Sequence, residues 1–266
     1  MFGAGRALLL QLAHAPVAQG VQDHSDFKGH PFRRLIGTLE ATSAVVFGGE
    51  TLACNVGARI HRMHEHVTGA TYRANDPANL LWVHATLVDT ALLCYTRLVG
   101  PLSAADREIY YQEMTRVAEV FGIPRTDQPP TLAAFETYFR ESTEKLEVTE
   151  VGRELAAFIL APTFPLALHV PLRPLLSLQR LFTLGMTPPR IRDQLGIDWD
   201  VRAVRRFDRA ERAIRTTFGL MPRTLRTAGS RISGGWLLWL AERHNRPRDD
   251  DAAPATGRLG GGAVPL

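Results

Sequence analysis

The chain has 266 residues, 45% of them hydrophobic and 22% charged, with a net charge of +4. That length holds one large domain or two small ones, and the balance is that of a globular protein able to bury a sizeable core. The arginines are dispersed rather than set in a basic block among exposed aromatics, so no nucleic-acid partner is expected, and no run reaches the roughly 20 apolar residues of a membrane span.

In chain order, residues 6–15 have a basic residue, a short apolar run and small residues, the faint outline of a secretory signal. Gln11 and His14 interrupt the run, so it reads as a first core helix and the protein as cytoplasmic. Asp23-His24-Ser25-Asp26-Phe27-Lys28-Gly29-His30-Pro31 reads as a polar loop, whose side chains are expected in local turn hydrogen bonds rather than on a metal. Apolar residues at helical spacing predict a helix over 32–47, with Leu35, Ile36, Leu39, Val45 and Val46 on its stripe. Its small residues Thr42, Ser43 and Ala44 suit close helix packing or the approach of a planar ligand. After Gly48-Gly49 a helix is expected over 50–67. It is polar and carries Arg59, His61, Arg62, His64, Glu65 and His66. Asn75-Asp76-Pro77 ends that segment and opens the next, with a capping side chain and a proline in the first turn. The helix over 77–98 is apolar nearly all round, as a buried helix is, and carries one imidazole, His84.

Ser103 with Asp106 predicts a capped helix running to near Phe121, with Tyr110, Tyr111 and Glu113 on it. Helices follow from Thr131 to about Glu144, with Phe135, Tyr138 and Phe139 as a core stripe, and from a Thr149 cap to about Leu160. The run 162–174 is rich in proline and apolar residues, either part of a hydrophobic pocket wall or simple packing. A short helix is expected over 175–184, a turn at 185–189 and a loop holding Trp199. An arginine-rich amphipathic helix is expected over 203–217, with Val204, Phe207, Ala210 and Ile214 inward. A last short segment spans 235–243, and the composition from Arg246 on predicts a disordered tail. Cys54 and Cys94 read as two buried, reduced thiols.

His84 admits two readings on its own. A lone buried histidine is usually satisfied by a carbonyl or side chain; here a polar helix bearing histidines precedes it, which favours an iron or haem ligand. His61 and His64 lie at i, i+3, a weak metal signal without a His-Glu-x-x-His motif.

The motifs add to this. Residues 59–69, Ala74-Asn75-Asp76-Pro77 and Leu81-Trp82-Val83-His84-Ala85-Thr86-Leu87-Val88-Asp89 resemble the signature of a bacterial and fungal family containing the MpaB-type oxygenases and related to the latex-clearing rubber oxygenases. Residues 8–14 and 23–27, Tyr110-Tyr111-Gln112-Glu113 and Leu184-Gly185-Met186-Thr187-Pro188-Pro189-Arg190 match as well, so the resemblance runs to about Arg226. It implies an all-α fold, here one domain over 1–245 followed by the tail 246–266. It implies a haem b held by a histidine, a role that falls on His84. It also implies an arginine-led cluster near the haem, for which Arg59 and His64 are the nearest matches; a lysine and a threonine of that cluster have no clear equivalents.

The expected function is therefore that of a haem-dependent oxygenase acting with O₂ on a small hydrophobic substrate, saturated or unsaturated. His84 would ligate the iron, with its other nitrogen donating to a carbonyl or a carboxylate such as Asp89. Arg59 and His64, read as sharing a face, would stabilise negative charge on oxygen. Other readings are a haem-binding or sensor protein without turnover, a di-iron oxidase drawing on Glu113, Asp89, His64 and His84, and an interaction module using the basic 202–215 face. A peripheral membrane contact through that face is also open, since a greasy substrate resides in lipid.

Overall fold

The N-terminal run with the outline of a signal is a core helix. In the structure, a computed structural model describing residues 2–24, 31–162 and 166–244, α1 (Ala4–Leu12) buries Gly5, Arg6, Ala7, Leu9, Leu10, Gln11 and Leu12. A helix buried on nearly every side needs apolar or satisfied residues all round, and α1 meets this with two polar anchors. The Gln11 amide donates to the Thr86 hydroxyl at 3.0 Å, and Arg6 reaches Asp89 at 2.6 Å.

Twelve α-helices make up the described residues, with one 3₁₀ turn and an isolated antiparallel bridge between Thr68 and Arg73. The fold is all-α, as expected. After α1 come α2 (Ala15–His24), α3 (Pro31–Phe47), α4 (Gly49–Glu65), α5 (Pro77–Leu98), α6 (Ala104–Val120), α7 (Leu132–Lys145), α8 (Glu150–Leu160), α9 (Leu166–Met186), α10 (Pro189–Gln194), α11 (Val201–Leu220) and α12 (Arg223–His244).

The helix starts follow local chemistry. Asp76 caps α5 by accepting from the Ala78 amide, with Pro77 in the first turn. Thr131, Thr149 and Asp200 cap α7, α8 and α11 in the same way. At α6 the Ser103 hydroxyl accepts from the Asp106 amide and donates to the Asp106 carboxylate at 2.7 Å. The acid thus closes on the serine side chain, a variant of the reciprocal capping box.

α5 is the central element, packed by α1, α6, α7 and α11. Trp82, Ala85, Val88 and Leu92 of α5 meet Tyr111 and Met114 of α6 and Leu132, Phe135 and Phe139 of α7. Trp82 stacks on Phe139 at 5.6 Å between centroids, and its indole N–H donates to the Leu10 carbonyl. Such a pair adds about 1 kcal/mol beyond burial. A second cluster joins Leu98 of α5 to Phe182 and Met186 of α9 and Phe207 of α11. A third, built from Ala41, Ala44, Val56 and Ala241, packs α3, α4 and α12 closely. This use of small residues accounts for Ala44; the side chains of Phe32, Leu35 and Ile36 lie outside the description. α4 approaches α6 at Gly57, where a Cβ would overlap the Val120 carbonyl oxygen.

Several elements differ from the sequence expectation. α9 is one helix from Leu166 through Pro171 and Pro174 to Met186, where a short helix over 175–184 was expected. Each proline removes one backbone bond, at a cost of roughly 3 kcal/mol inside a helix. Both lie in its first half, and the second half is anchored by buried Phe182, Thr183, Leu184 and Met186. Phe164 and the side chains of Leu166, Leu168 and His169 lie outside the description. α10 replaces part of the expected loop. The Arg192 guanidinium on it donates to the Leu184 and Thr187 carbonyls and so satisfies the end of α9. α12 is 22 residues long where a short segment was expected. Gly234 and Gly235 weaken its intrinsic propensity, and packing on α3 carries it.

Some single residues also differ. Val204 is exposed, because Phe207, Ala210 and Ile214 already fill the inward side of α11. Cys54 is exposed and Cys94 half-buried, both as free thiols; Cys54 falls on the outer side of α4, away from Ala53, Val56 and Gly57. α2 continues through His24, so Asp23 is helical and not in a loop. Asp26, His30 and the expected tail 246–266 lie outside the described residues.

Candidate functional site

His84 sits in the third turn of α5, buried at 8% exposure. One ring N–H donates to the Met114 carbonyl of α6. Burial disfavours the imidazolium and outweighs that bond, which by itself favours it, so the pKa is pushed down to about 4. At neutral pH the ring is uncharged, one nitrogen carries the proton held by Met114, and the other carries a lone pair. A histidine that ligates a metal is arranged in this way, its tautomer fixed by a carbonyl behind it. The donor chemistry of the residue therefore fits a haem iron.

Asp89 does not serve as the partner behind His84. Five residues along a helix turn through about 140°, so the two side chains leave α5 in different directions. The Asp89 carboxylate is held by Arg6 at 2.6 Å. Burial pushes its carboxyl above the ordinary value, and the Arg6 guanidinium opposes that shift. Arg6 is 4% exposed and also donates to the Thr90 hydroxyl and, at 2.8 Å, to the Met186 carbonyl. This polar layer between α1, α5 and α9 was not expected. A basic residue inside an apolar N-terminal helix, with an aspartate on the apolar α5, was the signal available for it.

The same 140° offset separates Arg59 from His64, so the shared face read from the sequence is not formed. The Arg59 guanidinium lies 3.5 Å from the buried Glu40 carboxylate of α3. The His244 Nδ1 of α12 meets the same carboxylate at 3.0 Å. His64 instead lines a pocket of about 350 Å³ with Glu65, Thr68, Gly69, Arg73 and Asn75.

That pocket is built from the α4–α5 connection. The Gly69 amide donates to the Tyr72 carbonyl and the Ala74 amide to the Val67 carbonyl, each at 2.9 Å, which folds the segment on itself. The Asn75 side-chain Nδ2 donates to the His61 carbonyl at 3.1 Å and ties the connection to α4. Tyr72 is buried and its hydroxyl donates to Asp23 at 2.7 Å. Burial, with Asp23 beside it, pushes that phenol up to about 12. The Asp23-His24 motif thus pins the connection to α2 rather than making a local turn. His14 stacks on Trp82 at 6.0 Å, and burial lowers its pKa. His61 and His66 are exposed.

Glu113 is exposed on α6. Among the described residues no group of three or more His, Cys, Asp or Glu side chains is placed to hold a metal ion. His64, His84, Asp89 and Glu113 therefore do not gather into the carboxylate-rich cluster a di-iron centre needs. No described helix is long and apolar enough to cross a membrane.

Two mycobacterial proteins are similar to the chain: the uncharacterized proteins Mb2261 of Mycobacterium bovis and Rv2237 of Mycobacterium tuberculosis. Each is 27% identical over 225 residues, covering 81% of this chain and 87% of the relative. No solved structure matches the chain closely enough to be called similar. Residues 1–216, from α1 into α11, match the family described as ER-bound oxygenase mpaB/B′/rubber oxygenase, catalytic domain. A match over that share of the chain settles its membership: the chain belongs to the mpaB and rubber oxygenase catalytic-domain family.

Proposed function

We propose that the protein is a haem b-dependent oxygenase that uses O₂ on a small hydrophobic, unsaturated substrate. The observation that carries this is His84, a neutral imidazole buried in the apolar α5 with its tautomer held by the Met114 carbonyl. The family match supports oxygenase chemistry in general; haem, substrate class and residue roles are our reading. When bound, a haem would supply the iron at which O₂ is reduced. His84 would hold that iron through the nitrogen Met114 leaves available, and burial would keep it unprotonated and ready to ligate.

Arg59 is the cation this reading assigns to developing negative charge on oxygen, and His64, directed elsewhere, is not given that role. The Glu40 carboxylate beside Arg59 would orient its guanidinium. The exposed and half-buried thiols are both free, which accords with a cytoplasmic location. The di-iron alternative loses support because its four candidate ligands do not cluster among the described residues.

The test is oxygen uptake by haem-loaded protein offered apolar alkenes. Substrate-dependent O₂ consumption is expected, and Arg59→Ala is expected to lower kcat by about 10²-fold or more, the usual scale for losing one donor to developing oxyanion charge. Haem binding with no alkene-stimulated uptake would leave the sensor reading in its place.

A further inference from the structure

Glu40 is a buried acid on α3, and two basic side chains reach it from the helices packed on α3: Arg59 from α4 and His244 from α12. Both approach the same oxygen, Oε1. His244 Nδ1 lies 3.0 Å from it, within hydrogen-bond range, whereas the Arg59 guanidinium lies at 3.5 Å, outside it. An arginine left alone with a carboxylate closes to about 2.7–2.9 Å and commonly binds through two nitrogens. Here the imidazole holds that position, and Arg59 stands off with its side chain 39% exposed.

The two bases respond differently to pH. A guanidinium stays charged at any pH a fold survives, whereas an imidazole gains and loses its charge within the physiological range. When His244 carries both protons, it and Glu40 form a neutral pair, and little draws Arg59 in. When His244 carries one proton, the buried carboxylate keeps an uncompensated charge, which is costly, and Arg59 is the cation at hand to balance it. His244 is the last residue of α12, where the helix dipole favours a cation. The other charged or titratable groups nearby are exposed: Glu242 and Arg243 on α12, His61 and Arg62 on α4, and Arg116 and Glu119 on α6, which packs on α3 and α4. Arg243 turns onto the Trp239 ring. Among the described residues, none of these six forms an ion pair with Glu40, Arg59 or His244.

We propose that His244 is a positioning residue for Arg59, acting through the Glu40 carboxylate they share: protonation of His244 releases Arg59, and deprotonation draws Arg59 onto Glu40. The family match ends at residue 216, so the arginine lies inside the matched segment and the residue that governs it lies beyond, on α12. The bearing on catalysis rests on the oxygenase reading, in which a released Arg59 is the one able to meet charge on oxygen. The switch itself does not rest on that reading, because it requires no haem.

The test is labelling of the full chain, without haem, by phenylglyoxal, a dicarbonyl that modifies arginine. Modification of Arg59 is read by peptide mass spectrometry and divided by that of the exposed Arg206 on α11, which cancels the reagent's own pH dependence. From about pH 8 to about pH 5.5, either side of ordinary imidazole titration, the ratio is expected to rise by about threefold, the scale of a partly exposed ion pair. His244→Gln, neutral throughout, is expected to give one low ratio at both pH values. His244→Lys, charged throughout, is expected to give one high ratio at both. The His244 side chain is 53% exposed, so neither variant disturbs the core, and the circular dichroism spectrum should be unchanged. A residue that merely packs would not split the two variants in opposite directions. Three outcomes would overturn the proposal: a wild-type ratio that does not change with pH, a rise that survives in His244→Gln, or a low ratio in His244→Lys. Oxygen uptake plays no part in this readout. A flat ratio therefore leaves the oxygenase proposal to its own test, and a lack of uptake leaves the switch standing.

Discussion

Asp89→Ala will destabilise the protein by about 3–5 kcal/mol, because it strands the Arg6 charge in the core. Arg6 is 4% exposed, and its guanidinium is divided among Asp89, Thr90 and the Met186 carbonyl, so it ties α1, α5 and α9 together. Removing the carboxylate leaves a desolvated cation with two neutral acceptors. The loss should be far larger than for an exposed pair such as Arg153–Glu150, for which about 0–1 kcal/mol is expected. Asp89→Asn, which keeps an acceptor oxygen, should cost less. Replacing both partners by apolar residues of similar size should recover much of the loss, since the desolvation cost of both charges goes too. Urea denaturation of the three variants measures this. A loss below about 1 kcal/mol for Asp89→Ala would mean that water reaches the pair and that Arg6 does not depend on Asp89.

The second large effect is on pH. The unfolded chain's His84 takes up a proton near pH 6.5, whereas in the fold it does so only near pH 4. Between those values the unfolded state binds more protons than the native state, so stability falls as pH falls. The contribution is whole above about pH 6.5 and is lost through the window, on the order of 3 kcal/mol in all. Other groups titrate there too, but the difference between wild type and His84→Gln isolates this one. Wild type should lose stability more steeply between pH 6.5 and 4 than the variant, whatever the variant's stability at neutral pH. Parallel curves would show that His84 is hydrated in the native state. The same shift bears on the proposed ligand role: an imidazole that resists protonation down to about pH 4 keeps its lone pair across the physiological range.

What could be read from the chain depended on whether the deciding interaction was local. α5 was legible at both ends, because an aspartate cap with Pro77 opens it and Gly100-Pro101 follows it. The caps at Ser103, Thr131 and Thr149 were legible for the same reason. α9 was not, because two prolines argue locally against a helix that tertiary packing sustains. Nor was the length of α12, whose glycines conceal a helix held by Ala41 and Ala44 of α3. At the site, the placement of His84 in a buried apolar helix was legible from the hydrophobic pattern. Its partner was not, since Met114 contributes a backbone carbonyl that any residue type would supply. The split between Arg59 and His64 follows from helical pitch together with Glu40, a buried acid that no motif singled out. Arg6 and Asp89 lie 83 positions apart in the chain and meet only through the fold.

The most direct measurement is the absorption spectrum and iron content of the purified protein beside His84→Ala, both expressed with added iron and haem precursor. The account predicts a Soret band in the wild type, about one iron per chain, and loss or a large shift of that band in the variant. A Soret band unchanged in His84→Ala would contradict His84 as the ligand. Neither haem nor iron in the wild type would contradict the proposed oxygenase chemistry itself.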